Sequence, residues 1–197
     1  MSDSIEIQVL NKIKKAKGGT LFFVDSFASV GTARSVNKAL ERLVKSGEIY
    51  RVSTGIYCRP AKDRILGNVW PGIDEIAAAI ARRDKARIVP TGSYSLYKLG
   101  LTTQVPLNAV YYTDASSRKI KIGRQTITFK KASSRNLAAI GSISSLVIQA
   151  LKTIGKDQVK EIEILKIRKL LRLEKPYHLK HDLKLAPEWI RKLIGPL

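Results

Sequence analysis

Three features of the 197-residue sequence predict an α+β fold. Runs with apolar residues at helical spacing alternate with short β-rich runs along the whole chain. The first third orders them as helix, helix, helix, hairpin, and the middle third carries two strands with strict apolar–polar alternation. The composition, 44% apolar and 26% charged, is ordinary for a globular chain and excludes global disorder and fibrous repeats. The expected division is a helical domain with a hairpin over residues 1–60, a linker over 61–71, and an α+β domain over 72–197. This last domain is expected to hold a small, mostly antiparallel sheet and a helical C-terminus.

The first expected helix spans Ser4 to Ala16, where Ile5, Val9, Leu10 and Ile13 form one apolar stripe, and Gly18-Gly19 ends it. A brief second helix is expected from about Phe22 to Ala28, closed by Gly31. Thr32 stands at an N-cap position ahead of a third helix, in which Val36, Leu40, Leu43 and Val44 share one arc. Arg34, Lys38, Arg42 and Lys45 share the opposite arc, and Gly47 suits the C′ position. Ile49–Val52 and Ile56–Arg59 flank Ser53-Thr54-Gly55, a hairpin signal. This order is that of a winged helix-turn-helix, in which the third helix enters the major groove and the hairpin is the wing.

Pro60 to Pro71 reads as the linker. Beyond it, Ile73–Arg83 is an expected helix with Asp74 and Glu75 in its first turn and Arg82 and Arg83 in its last. Arg87–Pro90 and Ala109–Thr113 read as strands, with a short helix over Gly92–Leu99 between them. In Lys119–Ile122 and Gln125–Phe129 apolar and polar residues alternate, so each strand has one buried face. Helices are expected over Ile143–Ile154, Gln158–Leu173 and Pro187–Ile194. The apolar residues of the second of these fall on more than one face.

The outlier is charge. Lys and Arg total 36 against 16 Asp and Glu, for a net charge of +20 and a pI near 10.2. The excess is five in residues 1–60, nine in 61–150 and six in 151–197, so the whole folded chain is basic and no terminal tail explains it. Such a chain attracts polyanions, and a distributed excess suits nucleic acid better than a membrane-anchoring patch. No apolar run reaches the roughly 18 residues of a membrane span. The polar N-terminus does not read as a secretory signal, and the single cysteine, Cys58, cannot form an internal disulfide, so a cytoplasmic location is expected.

The expected partner is double-stranded DNA. Thr32, Arg34, Ser35, Asn37 and Lys38, at the start of the third helix, are the candidates for base-edge readout, since Arg and Asn make the bidentate contacts that separate guanine from adenine. Arg42, Lys45, Arg51, Ser53, Thr54 and Arg59 are the candidates for phosphate contacts, which position without reading sequence. A second nucleic-acid surface is expected from Arg82, Arg83, Arg87, Lys98, Arg118, Lys119, Lys121 and Arg124, with Tyr94 and Tyr97 lining a groove. Trp70 and Trp189 are expected as core anchors.

Two stretches resemble the AbiEi-type antitoxins, transcriptional regulators of bacterial type IV toxin–antitoxin and abortive-infection operons. One is Ala39-Leu-Glu-Arg-Leu-Val-Lys-Ser-Gly-Glu-Ile-Tyr-Arg-Val-Ser-Thr-Gly-Ile-Tyr-Cys-Arg-Pro60, which resembles that family's N-terminal winged helix. The other runs from Pro90 to Thr113 with the Arg118–Phe129 hairpin, and within it Gly100-Leu-Thr-Thr-Gln-Val-Pro106 is the more specific piece. The resemblance covers most of residues 1–130. It implies an operon autorepressor that binds repeats in its own promoter, as a monomer in solution or a dimer on DNA. It also implies a C-terminal part that counteracts a nucleotidyltransferase-like toxin, with direct contact between the two left open. Only the recognition helix and the wing carry over residue by residue.

Catalytic signatures are scarce. The sequence has no Gly-x-x-x-x-Gly-Lys-Ser/Thr loop, no Gly-x-Gly-x-x-Gly fingerprint and no Gly-x-Ser-x-Gly elbow. A metal-dependent nuclease is the competing class, with Asp114, Asp74, Glu75, Lys119 and Lys121 as its candidates. Asp114 sits in a turn, however, and Asp74 and Glu75 already suit a helix N-terminus. His178 and His181, near Glu174 and Asp182, fall short of the three or four ligands zinc takes. Cys58 reads as a packed small residue of the hairpin. No enzyme activity, metal or cofactor is expected.

Overall fold

The computed structural model describes residues 4–194, which form a mixed α+β structure with eight α-helices. The chain divides into two compact units, residues 1–80 and 81–197.

In the first unit, α1 (Ile5–Lys15) begins at Ser4, whose hydroxyl accepts the Ile7 N–H, and it buries Val9 and Ile13. The segment expected as a second helix differs in its first half. Leu21–Phe23 is a strand, β1, and only Val24–Phe27 turns, as a single 3-10 turn. The consecutive bulky residues Leu21, Phe22 and Phe23 pair with a later strand, and the Phe23 N–H donates to Ser26 Oγ as the chain turns.

Helix α2 (Ala33–Lys45) buries Val36, Ala39, Leu40 and Leu43 against α1. Each large side chain taken fully from water contributes about 1.5–3 kcal/mol, so this one face anchors the helix. Its end is a Schellman arrangement. The Glu48 N–H donates to the Leu43 carbonyl and the Gly47 N–H to that of Val44, with Gly47 at φ +76°. Ile49, fully buried, then leads into β2 (Tyr50–Ser53), a two-residue turn Thr54-Gly55, and β3 (Ile56–Cys58). The three strands make an antiparallel sheet in the order β1-β3-β2.

Residues 61–71, expected as a linker, belong to this unit and contain an antiparallel hairpin, β4 (Ala61–Asp63) and β5 (Gly67–Val69). Its root lies so close to residue 18 that a Cβ there would stand 2.7 Å from the Ala61 Cα, so only glycine fits. Trp70, expected in the core, is 49% exposed and packs edge-on against Tyr50. Helix α3 (Ile73–Arg83) follows, its first turn tied by the Gly72 N–H to Glu75 Oε2 at 2.7 Å.

The second unit is built on β6 (Ile88–Thr91), β7 (Asn108–Thr113), β8 (Arg118–Ile122) and β9 (Gln125–Lys131), with α4 (Ser93–Lys98) after β6. The sheet order is β6-β7-β9-β8, antiparallel except for the β7–β9 pair. β9 takes the interior place because Ile127, Thr128 and Phe129 are buried in succession. β8, with Lys119 and Lys121 wet, suits an edge.

Helix α5 (Ser142–Ile154) buries Val147, Ile148, Ala150 and Leu151 and contacts α4 and β6. The stretch expected as one helix, Gln158–Leu173, is a 3-10 turn to Gln158 followed by α6 (Glu161–Leu171), then a turn into α7 (Pro176–Leu185). Its dispersed apolar pattern has a simple cause. Ile167 and Leu171 are buried, whereas Ile162 and Leu165 face solvent. Helix α8 (Glu188–Ile194) closes the described chain, and Trp189 packs against the core formed by α5, α6 and α8. No helix among the described residues is long and apolar enough to cross a membrane.

Candidate nucleic-acid interface

Helix α2 has two faces. Opposite its buried stripe, Arg34, Asn37, Lys38, Glu41, Arg42 and Lys45 are all exposed. Thr32 and Ser35 use their hydroxyls on the helix itself. Thr32 Oγ1 accepts the Ser35 N–H, Ser35 Oγ donates to the Thr32 carbonyl at 2.8 Å, and the two hydroxyls lie 3.0 Å apart. This interlock fixes where the helix starts, and therefore where Arg34, Asn37 and Lys38 project. Arg42 bridges to Glu6 of α1 at 3.4 Å, while Arg34, Lys38, Lys45 and Arg51 enter no ion pair among the described residues.

The β2–β3 hairpin places Arg51 opposite Tyr57 and Ser53 opposite Ile56, with an irregularity in register between Arg51 and Ser53. Thr54 is exposed at the tip beside Gly55, at φ +70°. Arg59 differs from its sequence expectation. Its Nη2 donates to the carbonyls of Lys14 and Ala16, at 3.2 and 3.3 Å, so the guanidinium closes the end of α1.

In the second unit, the expected basic surface divides between two faces of the edge strand. Lys119 and Lys121 pair across to Thr128 and Thr126 on one face, whereas Arg118 pairs across to Phe129 on the other. Arg118 bonds to Asp84 and lies over the Phe129 ring, and burial followed by the nearby Arg83 pushes its pKa down. Arg83 also reaches Asp84, and Arg87 holds Asp114 through its backbone N–H and its Nε, at 2.8 and 2.9 Å. Those bonds keep the Asp114 carboxyl below its ordinary range. Arg82, Lys98 and Arg124 are exposed. Tyr94 is 5% exposed and packs on Tyr111, so it belongs to the core and lines no groove, while Tyr97 is exposed.

Residues 8–179 match the model of DUF6088, described as a family of unknown function. The chain belongs to the DUF6088 family. No curated protein matches it. Among solved structures, the crystal structure of the RV2827C protein from Mycobacterium tuberculosis is similar at 11% identity. That match covers 98% of this chain and 82% of that one, with a TM-score of 0.49.

One arrangement in this DUF6088 chain was not foreseen. Helix α5 starts at Gly141, which offers no capping side chain, and two buried carboxylates from the far end of the chain supply the cap. Asp182 Oδ1 accepts the Ile140 N–H and Oδ2 the Gly141 N–H, both at 2.9 Å, and the Ser144 hydroxyl donates at 2.5 Å. Glu174 Oε2 accepts the N–H groups of Ile143 and Ser144, at 2.7 and 3.1 Å. Burial alone would raise both carboxyls, but these hydrogen bonds outweigh it and hold both below their ordinary values.

His178 and His181 each face one of the two carboxylates, at 3.5 and 2.9 Å. Of these four residues, Glu174 and Asp182 serve a helix N-terminus, where negative charge is favoured, and each histidine lies against one of the two carboxylates. No group of three or more potential metal ligands comes together among the described residues. The sequence signal was there, a helix with glycine at its N-cap, but nothing local names the distant partners.

Proposed function

We propose that this chain is a sequence-specific double-stranded-DNA-binding protein, a transcriptional autorepressor of the antitoxin type that acts without catalysis. The observation that carries the reading is the order α1, β1, 3-10 turn, α2, β2, β3 with the sheet order β1-β3-β2, which supports reading this unit as a winged helix. Its α2 carries a face of exposed cations and an amide, and its two-residue hairpin tip is exposed at Thr54. In this reading Arg34, Asn37 and Lys38 read base edges. Lys45, Arg51 and Thr54 meet phosphates, and Thr32 and Ser35 set the helix start. The net charge of +20 supplies long-range attraction to DNA.

The antitoxin role rests on the resemblance to the AbiEi-type regulators. In it the second unit counteracts a nucleotidyltransferase-like toxin, in the cytoplasm, with or without lasting contact. The test is a salt titration of binding to the DNA upstream of the chain's own reading frame, against a scrambled duplex, in EDTA and in magnesium. A preference of about 10³-fold or more that persists in EDTA supports the reading. Equal affinity for both duplexes, collapsing with salt, overturns it, and degradation of the DNA in magnesium replaces it with a nuclease. Arg34→Ala should cost about 1–3 kcal/mol at one base position, while Arg51→Ala weakens all sequences alike and lowers the salt slope by about 1.

A further inference from the structure

The β4–β5 hairpin displays two large apolar side chains to solvent. Ile65 is 92% and Leu66 76% exposed, the highest values among the large apolar residues described. Their loop is built to hold them there. Asp63 Oδ1 accepts the N–H groups of both Ile65 and Leu66, at 2.8 and 2.9 Å. Gly67 follows at φ +71°, which completes the three-residue turn and opens β5. The root is equally firm. Ala61 sits against Gly18, Pro60 is buried, and Trp70 packs edge-on with Tyr50 at 4.7 Å between ring centres. Only Arg59 and Pro60 separate the root from β3, the inner strand of the proposed wing domain.

We infer that this hairpin is a second DNA-contacting arm, whose Ile65–Leu66 tip enters the minor groove and wedges between two base pairs. The inference rests on the DNA-binding reading above. The charge around the tip selects the occupant. Lys62 and Arg64 precede the apolar pair, and the one acidic group of the hairpin, Asp63, is engaged by the two loop N–H groups. An apolar tip with two exposed cations on its β4 side suits a groove walled by phosphates and floored by stacked bases. Short apolar wedges of Ile or Leu between base steps are a general device of minor-groove binders. Asn68, opposite Lys62 across the hairpin, adds an amide able to bond base-edge acceptors there. The flexible T-A step is the cheapest place to open a stack.

The test uses the full chain on the duplex immediately upstream of its own reading frame. Permanganate, which oxidises unstacked thymines, is applied alongside a footprint, with wild type, Ile65→Ala/Leu66→Ala and Lys62→Gln/Arg64→Gln compared. The expected result is one thymine step made hyperreactive by wild type. The apolar double variant should keep the footprint, lose that hyperreactivity and bind about tenfold more weakly. The charge variant should keep the hyperreactivity and lower the salt slope by about 2. A wild-type footprint without hyperreactivity, or hyperreactivity that survives Ile65→Ala/Leu66→Ala, overturns the wedge and leaves the DNA-binding reading intact. Loss of self-association by the apolar double variant in sedimentation, with the permanganate pattern unchanged, overturns it in favour of a protein interface. A wild-type chain that gives no footprint overturns both readings. Because the tip side chains touch so little of the fold, unchanged circular dichroism melts are expected for both variants.

Discussion

Replacing Asp182 by alanine withdraws the acceptor for the Ile140 and Gly141 N–H groups and the Ser144 hydroxyl, and leaves His181 without its carboxylate. Gly141 is buried, so its N–H cannot turn to water, the Ser144 hydroxyl keeps only its longer bond to Glu174 Oε2 at 3.5 Å, and Ile140 is half exposed and recovers part of its loss. Each orphaned buried donor costs about 1–3 kcal/mol, and the missing negative charge at the start of α5 adds about 0.3–1 kcal/mol. The expected total is about 3–5 kcal/mol, the size associated with breaking a buried charged pair. At a urea slope of about 2 kcal/mol/M, the midpoint of the second unit should fall by about 2 M. Trp189 fluorescence in a Trp70→Phe background isolates that unit, because each unit holds one tryptophan.

The same cap makes stability depend on acid. Asp182 and Glu174 have folded-state pKa values below their ordinary ones, so their contribution is complete above the ordinary carboxylate range, about pH 4.5, and is lost as pH falls through the lower folded values. Between about pH 5 and pH 3 the wild-type midpoint should therefore drop more steeply than that of Asp182→Ala. A loss under about 1 kcal/mol at neutral pH, typical of a surface site, would refute the cap as the anchor of α5, and so would parallel acid profiles for the two proteins.

Two further outcomes are expected. Arg59→Ala should destabilise the first unit by about 1–2 kcal/mol in chemical unfolding while leaving the salt slope of DNA binding unchanged, because its guanidinium bonds the Lys14 and Ala16 carbonyls; a slope lowered by about 1 would return Arg59 to the phosphate contacts. Cys58 is buried, and burial pushes its thiol up to about 11. Alkylation at pH 8 should therefore be far slower than for a free thiol and track unfolding in urea, and rapid native labelling would contradict that packing.

The local signals of the first unit were legible because they act over a few residues. Thr32 before an amphipathic run and Gly47 after it each specify a backbone geometry by themselves and stand where expected, and of the expected turn Ser53-Thr54-Gly55 the last two residues form the hairpin tip while Ser53 ends β2. The exposed face of α2 followed from the 3.6-residue period alone. β1 was missed because Leu21–Phe23 is too short to show alternation and is a strand only by pairing with β3, more than thirty residues on. The hairpin at residues 61–69 was hidden by linker-like composition, and its roots lie in Gly18 and Tyr50 rather than in its own sequence.

What the sequence determined by itself was charge, fold class and most element positions, since these depend on composition and on neighbours within a turn or two. Tertiary structure alone decided which cations remain available. Composition counts Arg34, Arg59 and Arg118 alike, yet one projects from a helix face, one closes α1 and one is clamped on Asp84. It likewise turned Glu174 and Asp182, with His178 and His181 against them, from a ligand set into the cap of a helix that begins at Ser142, far earlier in the chain. The physical reason is common to both cases. A buried backbone N–H or carbonyl must find a partner, and only the folded chain determines which distant side chain can reach it.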